Sequence, residues 1–159
     1  MLIDLAAGMN PARVLLTALG LAFSAMGCGG GATQPSTPTS TTGVALSGSW
    51  SGTASDSSGA GLMTWQVTQT GTSFSGLLTM TDNRTGLKGS GTLSGTLSGS
   101  SIQFSLAIPS GGFGGAYSSC TASASGQGTA TASSMSGSYS GTNSCSGAIA
   151  SGTVALTKQ

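Results

Sequence analysis

From Val44 onward the chain sets apolar residues against Ser, Thr or Gly at every second position, and the β-strand is the regular structure with a period of two. The pattern is written most plainly in an octet that occurs twice. "LSGSWSGT" at residues 46–53 returns as "MSGSYSGT" at residues 135–142, with Leu exchanged for Met and Trp for Tyr. In both copies a large residue and a glycine alternate on one face: Leu46, Gly48, Trp50 and Gly52, then Met135, Gly137, Tyr139 and Gly141. "FSGLLTM" from Phe74 and "LSGTLSGS" from Leu93 are variants of it. No stretch of this region carries a helical period.

The alternation predicts about eight strands, at 45–54, 61–69, 73–81, 88–97, 101–108, 117–131, 135–142 and 149–157. Their inward faces are Leu46 and Trp50; Met63, Trp65 and Val67; Phe74, Leu78 and Met80; Leu93 and Leu97; Ile102, Phe104, Leu106 and Ile108; Ala122, Ala124 and Ala130; Met135 and Tyr139; Val154 and Leu156. Short turns alternate with longer loops at 55–60, 82–87, 109–116 and 143–148. Short links make neighbours pair antiparallel, so the simplest topology is an all-β up-and-down meander. With an even number of strands the first and last can pair, which closes the sheet into a barrel and removes its edges. The octet then marks strands one and seven, where alternating bulk and glycine suits a narrow, strongly coiled interior.

Composition excludes several function classes. Only 4% of residues are charged and the net charge is +1, so the clustered cations that a nucleic-acid binder needs are missing. There is no His to serve as general base or metal ligand. Past residue 28 the only carboxylates are Asp56 and Asp82, and only Lys88 could activate a serine. "DSSGAG" from Asp56 has too few carboxylates for a cation loop, and "DNRTG" from Asp82 has the composition of a turn. The expectation is a non-enzymatic protein without cofactor or metal.

The first 27 residues have the make-up of an export signal: Arg13, then the apolar run "VLLTALGLAFSAM", then small residues before Cys28. The run is shorter than a membrane span. "FSAMGCGGG" resembles the lipobox of bacterial lipoproteins, with Ala25 where that motif usually carries Leu. The resemblance implies cleavage before Cys28 and lipidation of Cys28. It also implies attachment to the cell envelope, at the outer membrane in a cell that has one, because Gly29 stands where an inner-membrane lipoprotein usually has Asp. Residues 28–43, rich in Gly, Pro, Ser and Thr, have the composition of a tether, and 44–159 form the barrel domain.

The motif Gly48-Ser49-Trp50 at the first strand resembles the G-x-W opening of the calycins, the lipocalin and avidin barrels. The resemblance covers about residues 44–158, but the arginine that lipocalins carry near the C-terminus is missing. It implies the barrel and no particular ligand.

With Cys28 lipidated, Cys120 and Cys145 remain, and an exported chain is expected to pair them. The meander puts both at the same end, with Cys120 at the start of strand six and Cys145 just past strand seven. That end also gathers the longer loops and Asp56, Asp82, Arg84 and Lys88, while Lys158 falls at the tethered end. The loop-bearing end is therefore expected to face away from the membrane. Trp50, Trp65, Phe104 and Tyr139 are candidates to line a pocket for an apolar ligand, or to fill the barrel as core. The expected function is a lipid-anchored envelope module that binds a ligand or an envelope partner. The alternatives are a lipocalin-like carrier of a small apolar molecule and a structural or adhesive surface domain.

Overall fold

The computed structural model describes residues 43–159. The expected signal peptide, Cys28 and all of the tether but Gly43 lie outside the described residues. Eight strands follow one another: β1 (Gly48–Asp56), β2 (Gly59–Thr70), β3 (Ser73–Asp82), β4 (Lys88–Ser98), β5 (Ser101–Ile108), β6 (Ala122–Ala130), β7 (Ser134–Asn143) and β8 (Gly147–Lys158), with a 3₁₀ turn at Gly115–Tyr117. Each pairs antiparallel with the next, and β1 pairs with β8 from Trp50–Lys158 to Ser55–Thr153, closing an eight-stranded up-and-down barrel. The two octets lie on β1 and β7, with only β8 between them.

The inward faces are those the alternation predicts. Trp50, Trp65, Leu78, Leu93, Ile102 and Leu156 are among the most deeply buried residues of the core. One end is sealed by the segment ahead of β1. Leu46 is fully buried, its N–H donates to Gln69 Oε1 (2.6 Å), and its carbonyl accepts the Trp50 indole N–H (2.7 Å). Lys158 lies over the Trp50 ring at 5.4 Å and donates to the Ala45 carbonyl at 3.0 Å, tying the last strand to the same plug.

Inward glycines make the barrel narrow, and they act in two ways. Along one cross-strand row, rings and glycines alternate from strand to strand: Phe74 pairs with Gly95, Gly95 with Phe104, Phe104 with Gly126, Gly126 with Tyr139, and Tyr139 with Gly152. Each ring leans over the next glycine. A Cβ on Gly126 would lie 2.5 Å from Phe104 Cζ, and one on Gly152 would lie 2.5 Å from Tyr139 Cε2. Elsewhere the neighbouring backbone takes the space. The second glycines of the two octets, Gly52 and Gly141, face the carbonyls of Ala155 and Ser123 with no room for a Cβ.

Several boundaries differ from the expected ones, the first being that β1 starts at Gly48 rather than at 45, because Leu46 ahead of it is drawn into the plug. Residues 55–60 are not a long loop: β1 runs on to Asp56, whose Oδ1 accepts the Ser58 N–H (2.7 Å) and so fixes a two-residue turn into β2. β8 starts at Gly147, which leaves only residues 144–146 as a turn. β6 starts at Ala122 rather than at 117, because Tyr117, Ser118 and Cys120 donate to the carbonyls of Gly114, Gly115 and Tyr117 and so wind up the chain ahead of the strand. The ladder also breaks once. Between β7 and β8 the register shifts at Tyr139/Gly141, and Ser151 adopts φ 54°, a left-handed conformation that marks a β-bulge. Ser57 holds the bulge through two bonds, its N–H to the Ala150 carbonyl (3.1 Å) and the Ala150 N–H to its Oγ (3.0 Å).

Candidate functional site

The end opposite the plug is open, and what opens it is the size of the side chains there. Rings and branched residues fill the middle of the barrel, but near the mouth β1 turns Ala54 inward and β6 turns Ala122 and Ala124 inward. These small residues leave a cavity of about 290 Å³ between them. Met63, Leu78 and Leu106 border it from below, and Ile149 from β8. Roughly ten water-sized volumes fit such a space at about 30 Å³ each, which corresponds to a small organic molecule.

The cavity is roofed by the 109–121 connection. Pro109 ends β5, and the chain then turns back on β4: the Ser90 N–H donates to the Gly112 carbonyl (2.8 Å) and the Gly114 N–H to the Lys88 carbonyl (3.2 Å). This return lays Phe113, only 6% exposed, across Gly89, where a Cβ would lie 3.0 Å from the ring. The disulfide Cys120–Cys145 (S–S 2.01 Å, Cα–Cα 5.7 Å) ties the other end of the connection to the β7–β8 turn. The expected pairing is present, and Cys145 borders the cavity.

The polar groups at the mouth have distinct roles. The Tyr139 hydroxyl donates to Asp56 Oδ2 at 2.8 Å, from β7 to the end of β1. Burial and the neighbouring Asp56 carboxylate push the Tyr139 phenol well above its usual range. Asp82 shapes the β3–β4 turn: its Oδ1 accepts the Arg84 N–H (3.0 Å), the Thr85 N–H (2.7 Å) and the Thr85 hydroxyl (2.7 Å). The Thr85 hydroxyl first, and its amide next, hold the Asp82 carboxyl below the ordinary carboxylate value.

Of the residues singled out from the sequence, the structure gathers Tyr139, Asp56, Asp82, Arg84 and Cys145 around the cavity. Lys88 opens β4 at the same end but does not border the cavity, and Lys158 lies at the plug. Trp50, Trp65 and Phe104 do not border this cavity; they are core. Trp50 packs on the plug, and Trp65 meets Phe104 edge-on at 5.3 Å. Met63 was expected to face inward but not to border a site, and Phe113, Tyr117 and Ile149 were not foreseen. "GGFGGAY" carried a usable hint, since two aromatic residues in a glycine-rich connection need somewhere to pack.

A second depression, about 810 Å³, is an open trough on the outer wall, lined by Ser, Thr and Gln of β4 to β7, by Gly95, Phe104, Gly126 and Tyr139 of the ring and glycine row, and by Ser151 and Gly152 of β8. Its hydroxyls face solvent, and it encloses nothing. No group of three or more acidic, Cys or His side chains able to hold a metal ion occurs among the described residues. No helix among them is long and apolar enough to cross a membrane. No family model, curated protein or solved structure matches this chain.

Proposed function

We propose that the chain is a non-enzymatic, lipid-anchored protein of the bacterial cell envelope, attached through Cys28 and placed at the outer membrane, whose barrel binds a small apolar molecule in its mouth. The observation that carries the binding role is the 290 Å³ cavity, apolar below and polar at the rim. A barrel built only as a scaffold gains nothing from alanines at three adjoining inward positions, since empty apolar volume lowers stability. The envelope address rests on the lipobox resemblance at "FSAMGCGGG" and on a disulfide suited to an oxidising compartment. A non-enzymatic role is supported by the absence of His from the sequence, and by an Asp56 carboxylate held by Tyr139 and the Ser58 amide rather than beside a nucleophile.

Two measurements test this reading. Titrating the purified protein with 1-octanol in a calorimeter should give saturable one-to-one binding, and Ala124→Leu, which fills the cavity from β6, should abolish it while the fold persists. Binding that survives Ala124→Leu unchanged places the ligand elsewhere. For the anchor, a labelled fatty acid fed to expressing bacteria should be incorporated into the wild-type chain and not into Cys28→Ser; equal labelling of both refutes lipidation at that residue.

A further inference from the structure

The mouth is uneven in charge, and the unevenness points to the chemistry of the ligand's polar end. Two inward rows end in a carboxylate there: Trp50, Gly52, Ala54 and Asp56 on β1, and Leu78, Met80 and Asp82 on β3. Both carboxylates border the cavity. The donors that reach them are all neutral, namely the Ser58 amide and Tyr139 hydroxyl on Asp56, and the Arg84 and Thr85 amides and the Thr85 hydroxyl on Asp82. Arg84, exposed on the turn beyond Asp82, borders the cavity too and its charge acts on Asp82, so the two aspartates and this arginine together leave the rim with a net negative charge, and Asp56 has no cationic partner among the described residues.

One glycine lies beside both aspartates. Gly59 pairs directly with Asp56 across the β1–β2 turn, and Asp82 Oδ2 leans toward it from β3, so that a Cβ at Gly59 would lie 3.3 Å from that oxygen. All three hydrogen bonds to Asp82 fall on Oδ1, which leaves Oδ2 with its acceptor capacity unused. Each Asp56 oxygen accepts one bond and has a lone pair to spare. A group seated over Gly59 therefore meets Asp82 Oδ2, with Asp56 on the paired strand and the rings of Phe113 and Tyr117 bordering the same cavity.

From this arrangement we infer that the mouth selects an apolar molecule of about ten heavy atoms that ends in an ammonium group. Asp56 and Asp82 accept from the head, and the alanine-lined cavity takes the tail. A carboxylate or phosphate head would be placed against a rim of net negative charge, and a neutral head would leave Asp56 without a countercharge. The inference rests on the mouth being the ligand site.

Three probes with one tail separate the two claims. Calorimetric titration with n-octylamine, 1-octanol and sodium octanoate at neutral pH should show the amine binding about tenfold more tightly than the alcohol, and the octanoate more weakly than the alcohol. Asp56→Asn, which keeps an acceptor for Tyr139, should bring the amine down to the level of the alcohol; Asp82→Asn should narrow the gap. Octanoate binding as tightly as the amine overturns the inference. So does an amine no tighter than the alcohol, or a preference that survives both substitutions; in those cases the cavity still binds and the ligand-site reading stands. If none of the three probes binds, that reading and this one fall together.

Discussion

Tyr139 and Asp56 stand 83 residues apart in sequence and meet at the rim of the barrel, the phenol donating to the carboxylate at 2.8 Å. The bond reaches across β8, at the level where Ser151 bulges and the β1–β8 ladder has stopped, so it fastens β7 to β1 where main-chain pairing between β1 and β8 is absent.

Replacing Tyr139 with Phe removes that fastening and little else. The expected loss is about 1 kcal/mol in urea unfolding with an unchanged m-value, because Asp56 stays partly solvated and recovers water. The wild type should also show an alkaline limb. The folded phenol titrates above the unfolded value of about 10, so its contribution is intact below pH 10 and declines as the pH rises above it, where the unfolded chain has released a proton that the folded chain still holds. Tyr139→Phe should flatten this limb.

Gly152 tests the interleaving of rings and glycines. The three atoms nearest to an added Cβ all belong to the Tyr139 ring, at 2.5 to 2.6 Å. Gly152→Ala should cost about 2 kcal/mol through overpacking, and the cost should shrink in a Tyr139→Val background, where the ring is gone. Equal costs in both backgrounds on a double-mutant cycle would show that the ring does not set the requirement for glycine.

Ser151 occupies a left-handed conformation that suits glycine better. Ser151→Gly should raise stability by about 0.5–1 kcal/mol, less whatever the more flexible unfolded chain takes back. A drop in melting temperature would mean that the Ser151 side chain contributes more than its backbone conformation costs.

The Cys120–Cys145 bond closes a loop of 25 residues and holds the roof of the cavity. Reduction, or the paired substitution to Ser, should lower unfolding stability by about 3 kcal/mol. Before global unfolding begins it should speed amide exchange at residues 110–118 selectively; uniform acceleration throughout the barrel would argue against a local role.

The strands and their facing were legible because every strand repeats the same instruction at a period of two, and the even strand count led directly to closure. The site was legible only in part. Trp50, Trp65, Phe104 and Tyr139 look alike in sequence as ring-bearing inward positions. Which of them reaches the rim depends on strand stagger, since Trp50 pairs with Lys158 beside the plug while Tyr139 sits opposite the bulge. The cavity is defined by what Ala54, Ala122 and Ala124 fail to fill, and those alanines, with four strands between β1 and β6 in sequence, come to border one space only once the barrel has closed. The return of Phe113 was hidden for a related reason: its partners on β4 lie more than twenty residues upstream, and a glycine-rich stretch has no period to betray a pairing. The bulge was masked by a serine standing where a glycine would have announced it.

The ladder between Trp50–Ser55 and Thr153–Lys158 joins the first strand to the last. It sets a condition on timing. β1 cannot gain its second neighbour until the last strand has been made, so through synthesis and any passage across a membrane β1 and the newest strand stay as raw edges. Closure is then the final event, taken in one step with the burial of Trp50 under Lys158. A chain that stops short of Thr153 keeps both edges open and becomes a template for strand exchange with its copies, whereas the finished chain offers no such edge.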